Sequence, residues 1–177
     1  MTCVVGLVDN GRVYIGGDSL ALGGFSKELR ADKKVFVRGE FAIGFAGSYR
    51  MGQLLQYKLV IPEHKPEMDN FEYMVSEFVE ATRECFQKGG FSNPNSNEIN
   101  IGSFLVGYRG ELFRITDDFQ VSKPYIKYDA IGCGGDIAKG SLYSTEGDKP
   151  KNRIIMALSA AAQLNAGVAG PFHVVSV

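Results

Sequence analysis

Short apolar runs near the start of the chain occur in two pairs, and a turn sequence joins the two runs of each pair. The runs predict two β-hairpins, over residues 2–8 with 12–17 and residues 34–37 with 41–45. Apolar side chains lie on both faces of these runs, which is typical of strands that are covered on both sides. The polar stretch 21–32 between the hairpins predicts a loop. The chain therefore begins with the strands of a buried sheet.

Helical and strand patterns follow in blocks. Apolar residues three and four apart predict helices over residues 48–59 and about 70–88, the second capped by Asp69 or Asn70. The rest predicts a surface loop, three strands, two helices and a final strand, at residues 91–100, 101–108, 111–116, 121–128, 136–144, 153–164 and 171–177. Strands in hairpins and helices in pairs predict the fold class α+β, as a four-layer αββα sandwich of two antiparallel sheets flanked by helix pairs.

Composition narrows the protein class. The 177 residues are enough for one domain, 1–177, with a sizeable core. Nineteen basic and twenty acidic residues give a net charge of -1, which argues against a nucleic-acid or anionic-membrane partner. The sequence has no apolar run of membrane-spanning length and no signal-peptide pattern at its start. Three cysteines, an odd number, favour the cytoplasm over a disulfide framework.

The chain has only two histidines, His64 and His173, which argues against a catalytic histidine base and against a histidine-rich metal site. Thr2 offers a different base. Removal of Met1, which is usual before a small residue, leaves an N-terminal threonine whose own amine has a reference pKa of about 7.7–8.0. The plain alternative is that Thr2 is merely the second residue of an edge strand.

Two charged residues support the reactive interpretation of Thr2. Asp18 ends the second strand of the first hairpin, so hairpin geometry alone returns it beside Thr2. Lys34 reaches the same place if the second hairpin packs alongside, where an ammonium would stabilise an alkoxide. A solvated surface pair is the alternative for these two residues.

Several spaced motifs carry a resemblance to a known family. The segments are TCVVG, GGDS, KKV, GFAGS, AIGCGGD and AGVAGPF, at residues 2–6, 16–19, 33–35, 44–48, 130–136 and 166–172. Sixteen residues separate Thr2 from Asp18, and sixteen more separate Asp18 from Lys34. In this order and spacing, the set resembles the proteasome β-type N-terminal nucleophile hydrolases, and most of all their bacterial HslV branch. The resemblance covers almost the whole chain.

The resemblance implies a role for each catalytic residue. Thr2 would be the nucleophile and, through its amine, the base. Lys34 would lower the pKa of the Thr2 hydroxyl, and Asp18 would position Lys34. The backbone N–H of Gly47 would bind the oxyanion, which suits a glycine that lets a carbonyl approach closely. Lys33 is the neighbouring alternative to Lys34, but spacing favours Lys34.

The chain departs from the family pattern at three positions. Cys133 stands where the family commonly has a supporting serine, and a thiol is the weaker hydrogen-bond donor. Asn165 and Val168 stand where proteasome β chains usually have Asp and Ser, a pair that the bacterial branch also lacks.

Cys3 is a rival nucleophile, although strand alternation points it to the opposite face from Thr2.

Further expectations follow from the resemblance. The substrate pocket would be lined by Ala21, Asp32, Gly44 and Ser48, with Gly44 keeping it open and Asp32 making its rim acidic. No cofactor is needed for the chemistry, although a structural monovalent or divalent cation is expected near Asn165, Val168 and Pro171. The partners would be unfolded polypeptides, further copies of the chain in stacked rings, and an AAA+ unfoldase ATPase.

The implied function is that of a threonine endopeptidase, the proteolytic subunit of an ATP-dependent protease. Two rivals stay open. One is an N-terminal nucleophile amidase that acts on a small-molecule amide. The other is a catalytically weak or silent, self-assembling homologue, for which Cys133 and Asn165 would be the support.

Overall fold

The computed structural model describes residues 1–90 and 102–177. In the described parts the strands are Val4–Asp9 (β1), Arg12–Gly17 (β2), Leu20–Gly23 (β3), Ser26–Leu29 (β4), Val35–Arg38 (β5), Phe41–Gly47 (β6), Gly102–Tyr108 (β7), Glu111–Ile115 (β8), Val121–Ser122 (β9), Tyr128–Ile131 (β10) and His173–Ser176 (β11). The helices are Tyr49–Tyr57 (α1), Asn70–Tyr73 (α2), Val79–Lys88 (α3), Gly135–Ser144 (α4) and Pro150–Leu164 (α5), with a π-helical turn at Met74–Phe78.

Most of the strands form two antiparallel sheets. The first has the order β10-β1-β2-β11 and the second the order β5-β6-β7-β8-β9, while β3 and β4 pair only with each other. Within the first sheet Val4 lies opposite Gly17, so the start of β1 is next to the end of β2. The predicted α+β class, with antiparallel sheets and accompanying helices, is confirmed.

Three apolar clusters hold the sheets and helices together. Helices α4 and α5 pack on the first sheet, and helices α1 and α3 pack on the second. A third cluster joins the two sheets, with side chains from β1, β2, β5, β6, β7, β8 and β10. Alternation along β1 sends Val4 into this third cluster and sends Cys3, Val5 and Leu7 toward the helices. Both faces of the strand are buried, as the sequence predicts.

Some predicted boundaries are wrong. The expected loop at 21–32 contains the hairpin β3–β4, which the pattern hides because all four residues of β4 are exposed. The expected strand at 121–128 is only the two-residue β9, and β10 begins where that strand was predicted to end. Pairing with β1 fixes β10, and such long-range pairing leaves no local signal.

The helix boundaries also differ in detail. The predicted helix over 70–88 contains the π-helical turn, and α5 begins at Pro150 rather than Arg153, because proline suits the first turn of a helix. The loop predicted at 91–100, and residue 101 of the next strand, lie outside the described residues. None of the helices in the described part has the length and apolar character needed to cross a bilayer.

Candidate active site

Three polar side chains, distant in sequence, meet where β1 begins and β2 ends. The Lys34 ammonium donates to Thr2 Oγ1 at 3.0 Å and to Asp18 Oδ1 at 2.8 Å. Its remaining N–H donates to the carbonyl oxygen of Leu20 at 2.7 Å. Thr2, Asp18 and Lys34 are 3%, 0% and 1% exposed, so their interactions are shielded from water. Lys33, the neighbouring alternative, is exposed.

The Asp18 carboxylate is held on both oxygens. Besides Lys34, Oδ1 accepts the backbone N–H of Cys3 at 3.0 Å. Oδ2 accepts the N–H groups of Leu20 at 3.0 Å and Ala169 at 3.5 Å. Each oxygen therefore faces two donors, and the carboxylate has little freedom to turn away from the ammonium.

Burial and pairing act against each other on Lys34. Removal from water lowers the pKa of the Lys34 ammonium, and the charge of Asp18 opposes that fall. All three N–H groups are already donated to fixed acceptors, so Lys34 serves as a hydrogen-bond donor. The arrangement stabilises negative charge on Thr2 Oγ1, and the proton acceptor must be another group.

Cys133 lies against the backbone of Thr2. The Thr2 N–H donates to Cys133 Sγ at 3.4 Å, and Thr2 Oγ1 donates to the carbonyl oxygen of Met1. The thiol has acceptors at the Thr2 carbonyl, 3.5 Å away, and at Asn165 Oδ1, 3.4 Å away. Asn165 Nδ2 donates to the Cys133 carbonyl at 2.9 Å, so the segment around Cys133 is hydrogen-bonded to the end of α5.

A cleft of about 310 Å³ opens beside Thr2. Its lining includes two predicted site residues, Gly47 and Cys133, which therefore share one cleft with Thr2. Among the described residues the lining consists of Met1, Thr2, Ala46, Gly47, Gly102, Ser103, Gly132 and Cys133.

Two glycines of this cleft were missed by the sequence argument. Gly132 has φ +87°, and a Cβ there would lie 2.2 Å from the carbonyl oxygen of Thr2. Gly102 has φ +86°, and a Cβ would lie 2.4 Å from the carbonyl oxygen of Ala46. Only glycine permits these close backbone approaches. Gly132 stands in the motif at 130–136 and Gly102 in none of the motifs, and the role of each depends on which backbone lies opposite.

The expected role of Gly44 in a substrate pocket is wrong. Gly44 is buried in β6, and a Cβ there would lie 2.6 Å from Val4 Cγ1 and 2.8 Å from Ile15 Cγ2. The missing side chain lets the two sheets pack together and opens no space beside Thr2.

The other predicted pocket residues lie outside the lining of the cleft. Asp32 accepts from Arg30 Nε at 2.7 Å and from Arg30 Nη2 at 2.9 Å, which lowers the pKa of the carboxyl and offsets its charge. The acidic rim stays a prediction, and its charge would be offset by Arg30. Ser48 accepts the Arg50 N–H at 3.1 Å as the N-cap of α1, and Ala21 lies in β3.

The predicted cation site stays a prediction. Asn165 Oδ1 already accepts the Gly167 N–H at 2.8 Å, and the Asn165 carbonyl accepts the Val168 N–H at 3.1 Å. The Pro171 carbonyl accepts from Ser19 Oγ at 2.7 Å. These oxygens are committed to the protein's own donors, which is a poor fit to a cation, so no step below uses one.

Cys3, the rival nucleophile, lies on the helix side of β1. It is 0% exposed, and its burial raises the pKa of the thiol to about 12. A thiol of that pKa is protonated at neutral pH and is a poor nucleophile. Its backbone N–H, not its sulfur, takes part in the site.

No protein-family model matches the sequence, and no curated protein matches it significantly. Solved structures do match. BPH from Thiobacillus denitrificans is 18% identical with a TM-score of 0.81, over 99% of this chain and 97% of that one. HslV from Trypanosoma brucei is 19% identical with a TM-score of 0.70, over 99% of this chain and 98% of that one. Anbu, an ancestral beta-subunit from Yersinia bercovieri, is 16% identical with a TM-score of 0.69, over 100% of this chain and 81% of that one. The chain thus has the fold of the HslV-type, proteasome-like proteins.

Proposed function

We propose that this protein is a threonine peptidase of the proteasome/HslV type, in which Thr2 is the nucleophile once Met1 has been removed. The observation that carries the proposal is the buried contact of 3.0 Å between Lys34 Nζ and Thr2 Oγ1, with Asp18 as the counter-ion of Lys34. Burial of an ammonium beside a hydroxyl destabilises the fold, because the charge loses its hydration. The same arrangement helps catalysis where the hydroxyl must become an alkoxide.

The base in this proposal is the Thr2 α-amine, because every N–H of Lys34 already has an acceptor. Attack forms a bond from Oγ1 to the peptide carbonyl carbon, moves the carbonyl π pair onto oxygen and transfers the Oγ1 proton to the amine. Cys133 Sγ lies 3.4 Å from the Thr2 nitrogen and would orient that amine.

The later steps use the same groups. The Gly47 N–H would donate to the oxyanion in the cleft. Collapse of the intermediate breaks the C–N bond, and the leaving amine takes the proton from the Thr2 ammonium. Water then attacks the acyl ester, its proton returns through the amine, and the Thr2 hydroxyl is restored.

The substrates and partners follow from the same proposal. We expect unfolded polypeptides as substrates, further copies of this chain in stacked rings, and an AAA+ ATPase that unfolds the substrates. The cytoplasm is the expected location, since Cys3, Cys85 and Cys133 are all free thiols. A structure of the similar BPH holds epoxomicin, which makes that compound the natural probe.

The test begins with the intact mass of the purified protein, which reports whether Met1 is present. Mature protein is then incubated with epoxomicin and with an unfolded protein substrate. We expect one adduct on Thr2 and time-dependent proteolysis, both absent in Thr2→Ala. Lys34→Met should lose both activities, whereas Lys33→Met, the exposed neighbour, should keep them.

Other outcomes separate the rivals. An adduct on Thr2 with hydrolysis of small amides but not of proteins would favour the small-molecule amidase. A mature Thr2 that forms no adduct, in a protein that still assembles, would overturn the peptidase proposal and favour the silent homologue.

A further inference from the structure

An aromatic ring lies beside the lysine of the active site and is not used in the mechanism above. Tyr49 is the first residue of α1, and its ring centroid is 5.8 Å from Lys34 Nζ. Its other ring contacts are with the Arg30 guanidinium, whose Cζ lies 4.1 Å from the centroid, and with Phe45, edge to face at 5.7 Å. The ring is thus fixed next to the group that contacts Thr2 Oγ1.

A surface ion pair fixes the ring from outside. Arg30 stacks on Tyr49 and donates two hydrogen bonds to the Asp32 carboxylate. A bidentate pair holds the guanidinium plane in one orientation, and a guanidinium stacks on an aromatic face better than an ammonium does. Arg30 and Asp32 therefore limit the movement of the Tyr49 ring.

The hydroxyl of Tyr49 is buried without a hydrogen-bond partner in the described part of the chain. Its burial raises the pKa of Tyr49 to about 12. A buried hydroxyl without a partner is a cost to the fold. The favourable contacts of this residue are therefore made by its ring.

We infer that Tyr49 is a positioning residue that acts through Lys34, its ring face stabilising the ammonium that donates to Thr2 Oγ1. The inference rests on the proposed function and adds to it a residue that none of the spaced motifs singles out. A ring face carries negative electrostatic potential and attracts a cation within about 6 Å, more strongly where water is excluded. Lys34 is 1% exposed, so that condition is met.

The charges around the two residues set the direction of the effect. Burial lowers the pKa of Lys34, and the negative charge of Asp18, together with its hydrogen bond, opposes that fall. The ring of Tyr49 is faced by the charges of Asp32, Arg30, Asp18 and Glu28. Removal of the ring takes away one stabilising contact of the ammonium, so the pKa of Lys34 should fall further, and activity should be lost at a lower pH.

The experiment compares Tyr49→Leu, Tyr49→Phe and the control Tyr57→Leu, which removes an exposed tyrosine from the same helix. In Tyr49→Leu we expect a two- to fivefold lower kcat, an unchanged KM and an alkaline limb of the kcat profile moved down by about half a pH unit. Tyr49→Phe, which keeps the ring, should restore the limb and unfold no more easily than the wild type.

A second measurement does not depend on activity. Titration of the Lys34 side-chain ¹⁵N signal by NMR should show a lower pKa in Tyr49→Leu and an unchanged pKa in Tyr49→Phe. If the protein hydrolyses nothing, the proposed function fails while this titration still decides the contact. An unchanged Lys34 pKa in Tyr49→Leu, or a changed KM with an unchanged pH profile, would overturn the inference.

Discussion

Replacement of Asp18 by asparagine should destabilise the protein strongly, because an amide cannot satisfy both sides of this site. One carboxylate oxygen faces Lys34 and the Cys3 N–H, and the other faces the N–H groups of Leu20 and Ala169. Whichever way the amide turns, its NH₂ group points at two donors. The ammonium of Lys34 also loses its counter-ion while it stays buried.

The size of the effect can be worked from Lys34. Breaking a buried ion pair by removing one partner costs about 3–5 kcal/mol. The ammonium can escape that cost only by losing its proton. From the ordinary pKa of 10.5 this costs about 5 kcal/mol at pH 7 and about 2 kcal/mol at pH 9. The cost of the broken ion pair and the cost of deprotonation at pH 7 are similar. We therefore expect the unfolding free energy of Asp18→Asn to fall by about 3–5 kcal/mol at pH 7.

The pH dependence has a definite sign. An unpaired, buried Lys34 has a lower pKa in the folded state than in the unfolded state, so the unfolded state binds more protons between the two values. Stability of Asp18→Asn should therefore rise as the pH rises from 7 to 9, and its deficit relative to the wild type should shrink toward about 2 kcal/mol.

Urea unfolding at fixed protein concentration measures these differences, with Asp117→Asn, an exposed aspartate, as the control. The double variant Asp18→Asn/Lys34→Met should be more stable than Asp18→Asn, because it removes the orphaned charge. A loss of less than 1 kcal/mol in Asp18→Asn, or a deficit that grows with pH, would show that the buried pair is not as argued.

Three further outcomes are expected. Gly132→Ala should cost roughly 1–3 kcal/mol from its φ alone and should abolish epoxomicin labelling of Thr2, whereas Gly140→Ala, which meets open space, should leave labelling intact. Iodoacetamide should modify the exposed Cys133 first, by mass spectrometry, and block hydrolysis; Cys133→Ser should be resistant, and resistance in the wild type would count against the cleft. Since the pKa of Lys34 is lowered, the kcat profile should fall on its alkaline side below pH 10.5; a profile flat to that pH would contradict the role of the ammonium.

Local geometry explains what could be predicted about the site. The turn between β1 and β2 and the apolar pattern of both strands are encoded within sixteen residues, so the approach of Asp18 to Thr2 follows from hairpin pairing. Alternation then separates the faces of Thr2 and Cys3 without reference to any other part of the chain. The spaced motifs added Lys34, Gly47 and Cys133 through resemblance.

The tertiary structure decided the rest, because each remaining feature depends on a contact between distant segments. Gly44 was assigned to a pocket, but the facing sheet makes it a packing position. Asp32 was expected to give an acidic rim, but its carboxylate is paired with Arg30, which stacks on Tyr49.

The sequence by itself therefore determined the hairpins β1–β2 and β5–β6, the fold class and the nearness of Asp18 to Thr2, all of which follow from the order and polarity of neighbouring residues. Packing between the sheets brought Lys34 within 3.0 Å of Thr2 and placed the ring of Tyr49 near the ammonium, and long-range pairing of β10 with β1 brought Gly132 onto the Thr2 backbone. The physical reason is that pairing within a hairpin is a local property, whereas burial of a charge depends on everything that surrounds it.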